Sequence, residues 1–151
     1  LLDEVIAESL RHISRKHDEY TIVTKCEELI LVRMDVQLII QVLVNLIDNA
    51  IKYTPKGSKI CIRGMKCNGK AQICVEDNGP GIADEMKPYI FEMFYTGKST
   101  IADSQRSLGL GLSLCQSIIE AHDGRLILTD NTPRGCIFTF TLPLSEVTLN
   151  E

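Results

Sequence analysis

The run DVQLIIQVLVNLIDNAIKY, Asp35 to Tyr53, decides the fold. It is apolar around most of a helical circumference, so it reads as a buried helix. Asp35 suits the N-cap, and Thr54-Pro55-Lys56-Gly57 supplies the stop. The exceptions are Gln37, Gln41, Asn45, Asp48, Asn49 and Lys52. At ~100° per residue they fall within an arc of roughly 120°. A solvated face and a lined polar pocket both remain open for this stripe. Its composition favours amides over Lys, Glu and Arg, and amides orient hydrogen bonds and ligate hard cations through oxygen.

Outward from this helix, Leu2, Val5, Ile6, Leu10 and Ile13 recur at helical spacing, which gives an amphipathic helix over the first fifteen or so residues. Tyr20–Lys25 and Leu29–Met34 read as short strands. Lys59–Lys66 and Ala71–Glu76 read as a hairpin turning at Asn68-Gly69. Asp77 to Pro88 is loop with one helical turn, and Tyr89–Tyr95 is an aromatic-apolar knot. Thr96 to Ser107 has almost no apolar anchors and reads as a mobile loop. A third helix over Gly111–Ala121 ends at Asp123-Gly124, and Arg125–Thr129 and Ile137–Leu142 close the chain as strands. The expected fold is α+β: a two-layer α/β sandwich with a mixed β-sheet covered on one face by about three helices.

The 151 residues match one ordinary domain, with 44% apolar and 24% charged side chains. A net charge of −4 argues against nucleic acid or an anionic membrane as a general partner. No apolar run approaches the ~18 residues of a membrane span, and no signal peptide opens the chain. Leu1 sits inside an amphipathic pattern, so the sequence reads as a piece of something longer. Cys26, Cys61, Cys67, Cys74, Cys115 and Cys136 are scattered without a C-x-x-C pair or paired His. That pattern fits free thiols in a reduced, cytoplasmic setting.

Two glycine clusters complete the candidates. Glu76-Asp77-Asn78-Gly79-Pro80-Gly81-Ile82 puts a carboxylate at the end of a β run. Asp77 there can accept from an exocyclic amino group, with Gly79 and Gly81 allowing close approach; a plain turn accounts for the same residues. Leu108-Gly109-Leu110-Gly111-Leu112 opens the third helix, where exposed N–H groups and the macrodipole can receive phosphate. Close packing of backbone also selects glycine there. No G-K-[ST] follows, so it is not a Walker loop. Lys98 and Arg106, in the preceding loop, can close over a polyphosphate or stay solvated.

Together these pieces are similar to a known family. Gln41–Thr54, Asp77–Ile82, Phe91-Glu92-Met93-Phe94 and Gly109-Leu110-Gly111-Leu112 resemble, in order, the N, G1, F and G2 boxes of sensor histidine kinases of the GHKL superfamily. Phe94 through Gly97 and Ala102 through Leu108 resemble the lid of KdpD-type potassium-responsive kinases. The resemblance implies the Bergerat ATP-binding fold with ATP and Mg²⁺. It implies residues 1–18 as a linker helix from a preceding dimerisation domain, 19–145 as the catalytic ATP-binding domain, and 146–151 as a C-terminal tail.

By resemblance, Asp77 accepts from the adenine amino group, while Asn45 and Asn49 ligate Mg²⁺ and contact phosphate oxygens. Lys52 reaches phosphate, Tyr53 lies against ribose or base, and Gly79, Gly81 and Ile82 line the nucleotide. The implied lid contacts are Tyr95, Thr96, Gly97, Lys98, Arg106, Ser107 and Leu108. Gly109, Leu110, Gly111 and Leu112 supply backbone donors to the triphosphate. Phe91 and Phe94 seat the lid. The implied reaction is transfer of the γ-phosphoryl group to a histidine and relay to a response-regulator aspartate.

The acceptor half looks absent from this sequence. His12, His17 and His122 lie outside an H-E-x-R-x-P setting, so the phosphoacceptor is expected on the parent protein's own dimerisation domain. The implied place is a cytoplasmic domain of a membrane-anchored sensor, without direct membrane contact by this part. Two positions depart from the family pattern. Asp123 stands where Gly is frequent, and Asp tolerates left-handed geometry. Cys136 stands where a Thr or Ser hydroxyl commonly hydrates the adenine end; its loss costs about 0.5–1.5 kcal/mol of binding. Related ATPases carry Glu at the position of Gln41, and Gln is no general base, which disfavours hydrolysis. A nucleotide-binding regulatory module without transfer activity is the other alternative.

Overall fold

The computed structural model describes residues 1–13, 20–26, 29–91 and 106–145, with only the backbone course of 106–110. Helix α1 spans Leu2–Arg11, strand β1 Thr21–Cys26, helix α2 Val36–Tyr53, β2 Lys59–Cys67 and β3 Lys70–Asp77. Helix α3 covers Arg106–Ala121, β4 Leu126–Asp130 and β5 Cys136–Pro143. The sheet order is β1-β2-β3-β5-β4, with β1 parallel to β2 and the remaining pairs antiparallel. This is the expected mixed sheet.

Strand alternation sends one face of every strand toward the helices. One such row runs across all five strands as Thr24, Ile62, Val75, Phe138 and Leu128. Against that face α2 buries Ile39, Leu43, Leu46 and Ile47, and α3 buries Leu112, Cys115, Ile118 and Ile119. Helix α1 adds Leu2, Val5 and Ile6 to the same core. A Cβ on Gly64 would lie 2.7 Å from Leu2, so β2 receives α1 at a residue without a side chain.

The hairpin turns at Asn68 and Gly69, both with positive φ of 52° and 76°, the left-handed pair that a two-residue turn needs. The Asp35 side chain caps α2 by accepting from the Leu38 N–H at 3.2 Å. Beyond the end of α3 at Ala121 the chain reverses at Asp123, φ 61°, with the Gly124 N–H returning to the Ile119 carbonyl at 2.9 Å.

Three expectations need correction. The first helix stops at Arg11 rather than near residue 15. Leu29–Met34 is not a strand: it makes one isolated bridge, Val32 to Leu144. Its backbone bonds go to α1 and to the end of β5 and the residues just after it, as in Leu2 N–H to Ile30 O at 2.9 Å and Ser145 N–H to Leu31 O at 2.9 Å. Helix α3 begins at Arg106, five residues before its expected start, so Arg106, Ser107 and Leu108 are helical rather than loop. The knot beyond Phe91, the loop 96–105 and the tail 146–151 lie outside the described residues. No helix among the described residues is long and apolar enough to cross a membrane.

Candidate functional site

Asp77 ends β3 with its side chain buried at 7% exposure. Its Oδ1 accepts from the Gly79 N–H at 2.9 Å and the Cys136 N–H at 3.3 Å. Burial pushes the carboxyl above its ordinary range, and the two N–H groups pull it back down. The Asp77 carbonyl accepts from Asn131 Nδ2 at 2.8 Å. Backbone and side chain of one residue are thus gripped by the β4–β5 connection.

Two glycines are obligatory in this grip. A Cβ on Gly79 would lie 2.4 Å from Thr54 Cγ2. On Gly135, at φ +115°, it would lie 1.9 Å from the Asp77 carbonyl oxygen. Thr54 is fixed in turn: its hydroxyl donates to Ala50 O at 2.7 Å, and Tyr20 Oη lies 3.0 Å from the carbonyls of Ile51 and Thr54.

The stripe on α2 changes character along its length. Gln37 and Gln41 are exposed, Asn45 is half-buried, and Asp48 and Asn49 are buried. The first part is a wet face, and the second is buried in the protein. Asn49 Oδ1 is shielded from solvent and has no hydrogen-bond partner among the described residues. A buried amide oxygen in that state costs free energy unless a ligand meets it. Lys52 Nζ lies 5.5 Å from the centre of the Tyr53 ring. Gly111 of α3 faces Asn45, where an added Cβ would meet the amide carbon and oxygen at 3.5 Å.

The glycine turn expected at the head of α3 is instead helix. Gly109 and Gly111 are its fourth and sixth residues, past the positions whose N–H groups the helix start leaves open. Buried Leu112, Cys115, Ile118 and Ile119 give the helix an apolar stripe, and packing of that stripe outweighs the low propensity of glycine. Leu112 is a core residue. Tyr95, Thr96, Gly97, Lys98 and Phe94 lie outside the described residues, as do the side chains of Arg106, Ser107, Leu108 and Leu110. Phe91 packs edge-on against Phe138 with ring centroids 6.1 Å apart.

Asn131, Gly135 and Thr54 contact Asp77 or Gly79 and were not among the sequence candidates. For Asn131 and Gly135 the turn Asn131-Thr132-Pro133-Arg134-Gly135 between two strands is the visible signal, whereas Thr54 shows only as the stop of α2. The Cys136 thiol, pushed up to about 12 chiefly by burial and then by Asp77, is an inert neighbour of the carboxylate. No group of three or more His, Cys, Asp or Glu able to hold a metal occurs among the described residues. What remains is a buried carboxylate with one oxygen locked by backbone, and, on α2, a buried amide oxygen without a partner among the described residues. That combination suits an amino-bearing ring and a hard cation.

Comparison with known proteins gives the same direction. Residues 34–146 match the family described as histidine kinase-, DNA gyrase B-, and HSP90-like ATPase. The sensor protein KdpD of Clostridium acetobutylicum is 40% identical over 144 residues, 95% of this chain and 16% of that protein. The adaptive-response sensory kinase SasA of a Nostoc species is 43% identical over 119 residues, 78% of this chain and 29% of that protein. The chain therefore spans less than a third of the length of these sensor kinases. Among solved structures, the catalytic domain of histidine kinase ThkA superposes with a TM-score of 0.80 at 34% identity, covering 94% of this chain and 91% of that one. ThkA in complex with the response regulator protein TrrA matches at a TM-score of 0.77 and 32% identity, over 95% of this chain and 40% of that one. The chain belongs to the histidine kinase-, DNA gyrase B-, and HSP90-like ATPase family, as a domain of the histidine kinase catalytic type.

Proposed function

We propose that this chain binds Mg-ATP and donates the γ-phosphoryl group to a histidine on a separate phosphoacceptor domain of a sensor histidine kinase, for relay to a response-regulator aspartate. The observation that carries this reading is Asp77, a buried carboxylate whose Oδ1 takes two backbone N–H groups. With Oδ1 so occupied, Oδ2 is the oxygen that accepts an exocyclic amino group, and adenine offers one where guanine offers a carbonyl.

Asn45 and Asn49 fit Mg²⁺ as oxygen ligands, and the solvent-shielded Asn49 Oδ1 supports that assignment. When bound, the cation neutralises charge on the phosphate oxygens. Lys52 contributes a positive charge at the same end of α2, and Tyr53 a flat apolar surface. Gly79, Gly81 and Ile82 form the wall beside the base. By the family resemblance, Tyr95 to Lys98 and Arg106 to Leu108 belong to the lid over the phosphates. Phosphoryl transfer asks the protein to position and neutralise rather than to form bonds. Gln41, exposed on α2, offers no base for water, which favours transfer over hydrolysis.

The phosphoacceptor and response regulator are partners of the parent protein, whose sensor part is membrane-anchored and whose catalytic part works in the cytoplasm. Calorimetric titration with a non-hydrolysable ATP analogue, with and without Mg²⁺, tests the site. A separately produced dimerisation domain, incubated with the chain and Mg-ATP, tests transfer by the appearance of acid-labile phosphohistidine. Binding without phosphohistidine would reduce the function to a regulatory nucleotide module. Absence of binding at millimolar analogue would overturn the reading.

A further inference from the structure

Lys87 begins a 3₁₀ turn, Lys87–Tyr89, on the segment that follows Asp77. Its ammonium carries three N–H donors, and three acceptors surround it. They are the Ile82 carbonyl at 3.0 Å, Asp130 Oδ1 at 2.9 Å and Asp84 Oδ1 in a shorter contact. The Lys87 side chain is 18% exposed, whereas Asp84 and Asp130 are 88% and 64% exposed. The lysine is thus the inner member of the cluster, and the acids are its outer braces. The hydrogen bonds to Asp84 and Asp130 hold Lys87 above its ordinary range, and Lys87 holds Asp84 below the usual carboxylate range. Lys87 and Asp84 therefore stay charged across neutral pH.

What Lys87 joins is the informative part. Asp130 is the last residue of β4 and pairs with Cys136 at the start of β5. Cys136 donates its N–H to Asp77 Oδ1. The segment from Asp77 to Ile82 is therefore held at two places. At Asp77 the β4–β5 connection grips it through Asn131 and Cys136. At Ile82 Lys87 grips it and anchors it to β4. Between the two lies Gly81 at φ +81°, a residue with wide backbone freedom.

We infer that Lys87 is a positioning residue for the base side of the nucleotide site, holding the Gly81-Ile82 wall at a fixed spacing from Asp77 through the Ile82 carbonyl and Asp130. The inference rests on the nucleotide-binding reading above. Lys87 itself touches no nucleotide; it acts through Ile82.

The test uses Lys87→Met, which keeps the stem and removes the charge, and Lys87→Arg, which restores it. Because Asp84 and Asp130 are solvent-exposed, Lys87→Met leaves no buried charge behind. Calorimetry with ADP and with a non-hydrolysable ATP analogue should show Lys87→Met weakening both by the same factor, about tenfold, with Mg²⁺ dependence unchanged. Lys87→Arg should recover most of that loss, which a purely structural effect on unfolding would not require. Amide hydrogen exchange without nucleotide should accelerate at Gly81 and Ile82 in Lys87→Met. Binding by Lys87→Met within twofold of the parent overturns the inference, as does unchanged exchange at those amides. If the parent binds neither nucleotide, the functional reading falls, and the exchange rates alone then decide whether Lys87 fixes this segment.

Discussion

A Cβ on Gly135 would stand 1.9 Å from the Asp77 carbonyl oxygen, closer than any side chain can approach backbone. Gly135 also sits at φ +115°, a backbone state that other residues rarely adopt. Gly135→Ala must therefore push β5 away from β3 at the residue that carries the site carboxylate. We expect a loss of about 3 kcal/mol or more, measured by urea unfolding. Nucleotide binding should be lost even under conditions where the variant remains folded.

Asp77→Asn should separate stability from function. Burial raises the Asp77 carboxyl, so the folded chain holds this proton more tightly than the unfolded chain does. Stability is then lost as pH rises from the unfolded value of about 4 through the raised folded one. Asn carries no such charge. At pH 7 the variant should melt at or above the parent's temperature, and the gap should close as pH falls through the carboxylate range. Its affinity for the ATP analogue should drop by at least tenfold. A variant both less stable and unchanged in binding would contradict the assignment of Asp77.

Asn49→Ala removes an amide oxygen that has no hydrogen-bond partner among the described residues. Its effect on unfolding should stay within about 1 kcal/mol. The increment that Mg²⁺ adds to nucleotide binding should vanish. Titrations with and without the cation would give equal affinities in the variant and different ones in the parent.

Gly111→Ala gives a subtler outcome. An added methyl meets Asn45 at 3.5 Å, an ordinary contact, in the interior of α3. Helix propensity favours Ala by roughly 0.5–1 kcal/mol, so the melting temperature should rise by about 1–4 °C. The methyl also occupies space beside an amide assigned to the cation. A severalfold weaker Mg-nucleotide affinity should accompany the gain.

The sequence was legible where a local rule governs. Helix α2 follows from its apolar circumference and the Asp35 cap, and the hairpin from Asn68-Gly69. Asp77 and Asn49 are recognisable because a carboxylate beside glycines and an amide on a buried helix face are unusual locally. The start of α3 differs from expectation because Leu-Gly-Leu-Gly-Leu has the composition of a phosphate turn, while burial of Leu112 and Cys115 carries the helix through it. The Leu29–Met34 run has strand composition but finds no neighbouring strand edge over its length. Asn131, Gly135 and Lys87 escaped notice for another reason. Each reaches its partner through a side-chain-to-backbone bond or a close backbone approach, and neither leaves a periodicity.

The grip on Asp77 has a consequence for how the chain tolerates damage. Its carboxylate is held from residue 136, its neighbour Gly79 abuts Thr54, and Gly111 sits against Asn45. The site is stitched from both halves of the sequence, so neither half alone carries a fraction of it. A nick at an exposed turn whose fragments stay together should preserve affinity, whereas separating those fragments should abolish it in one step.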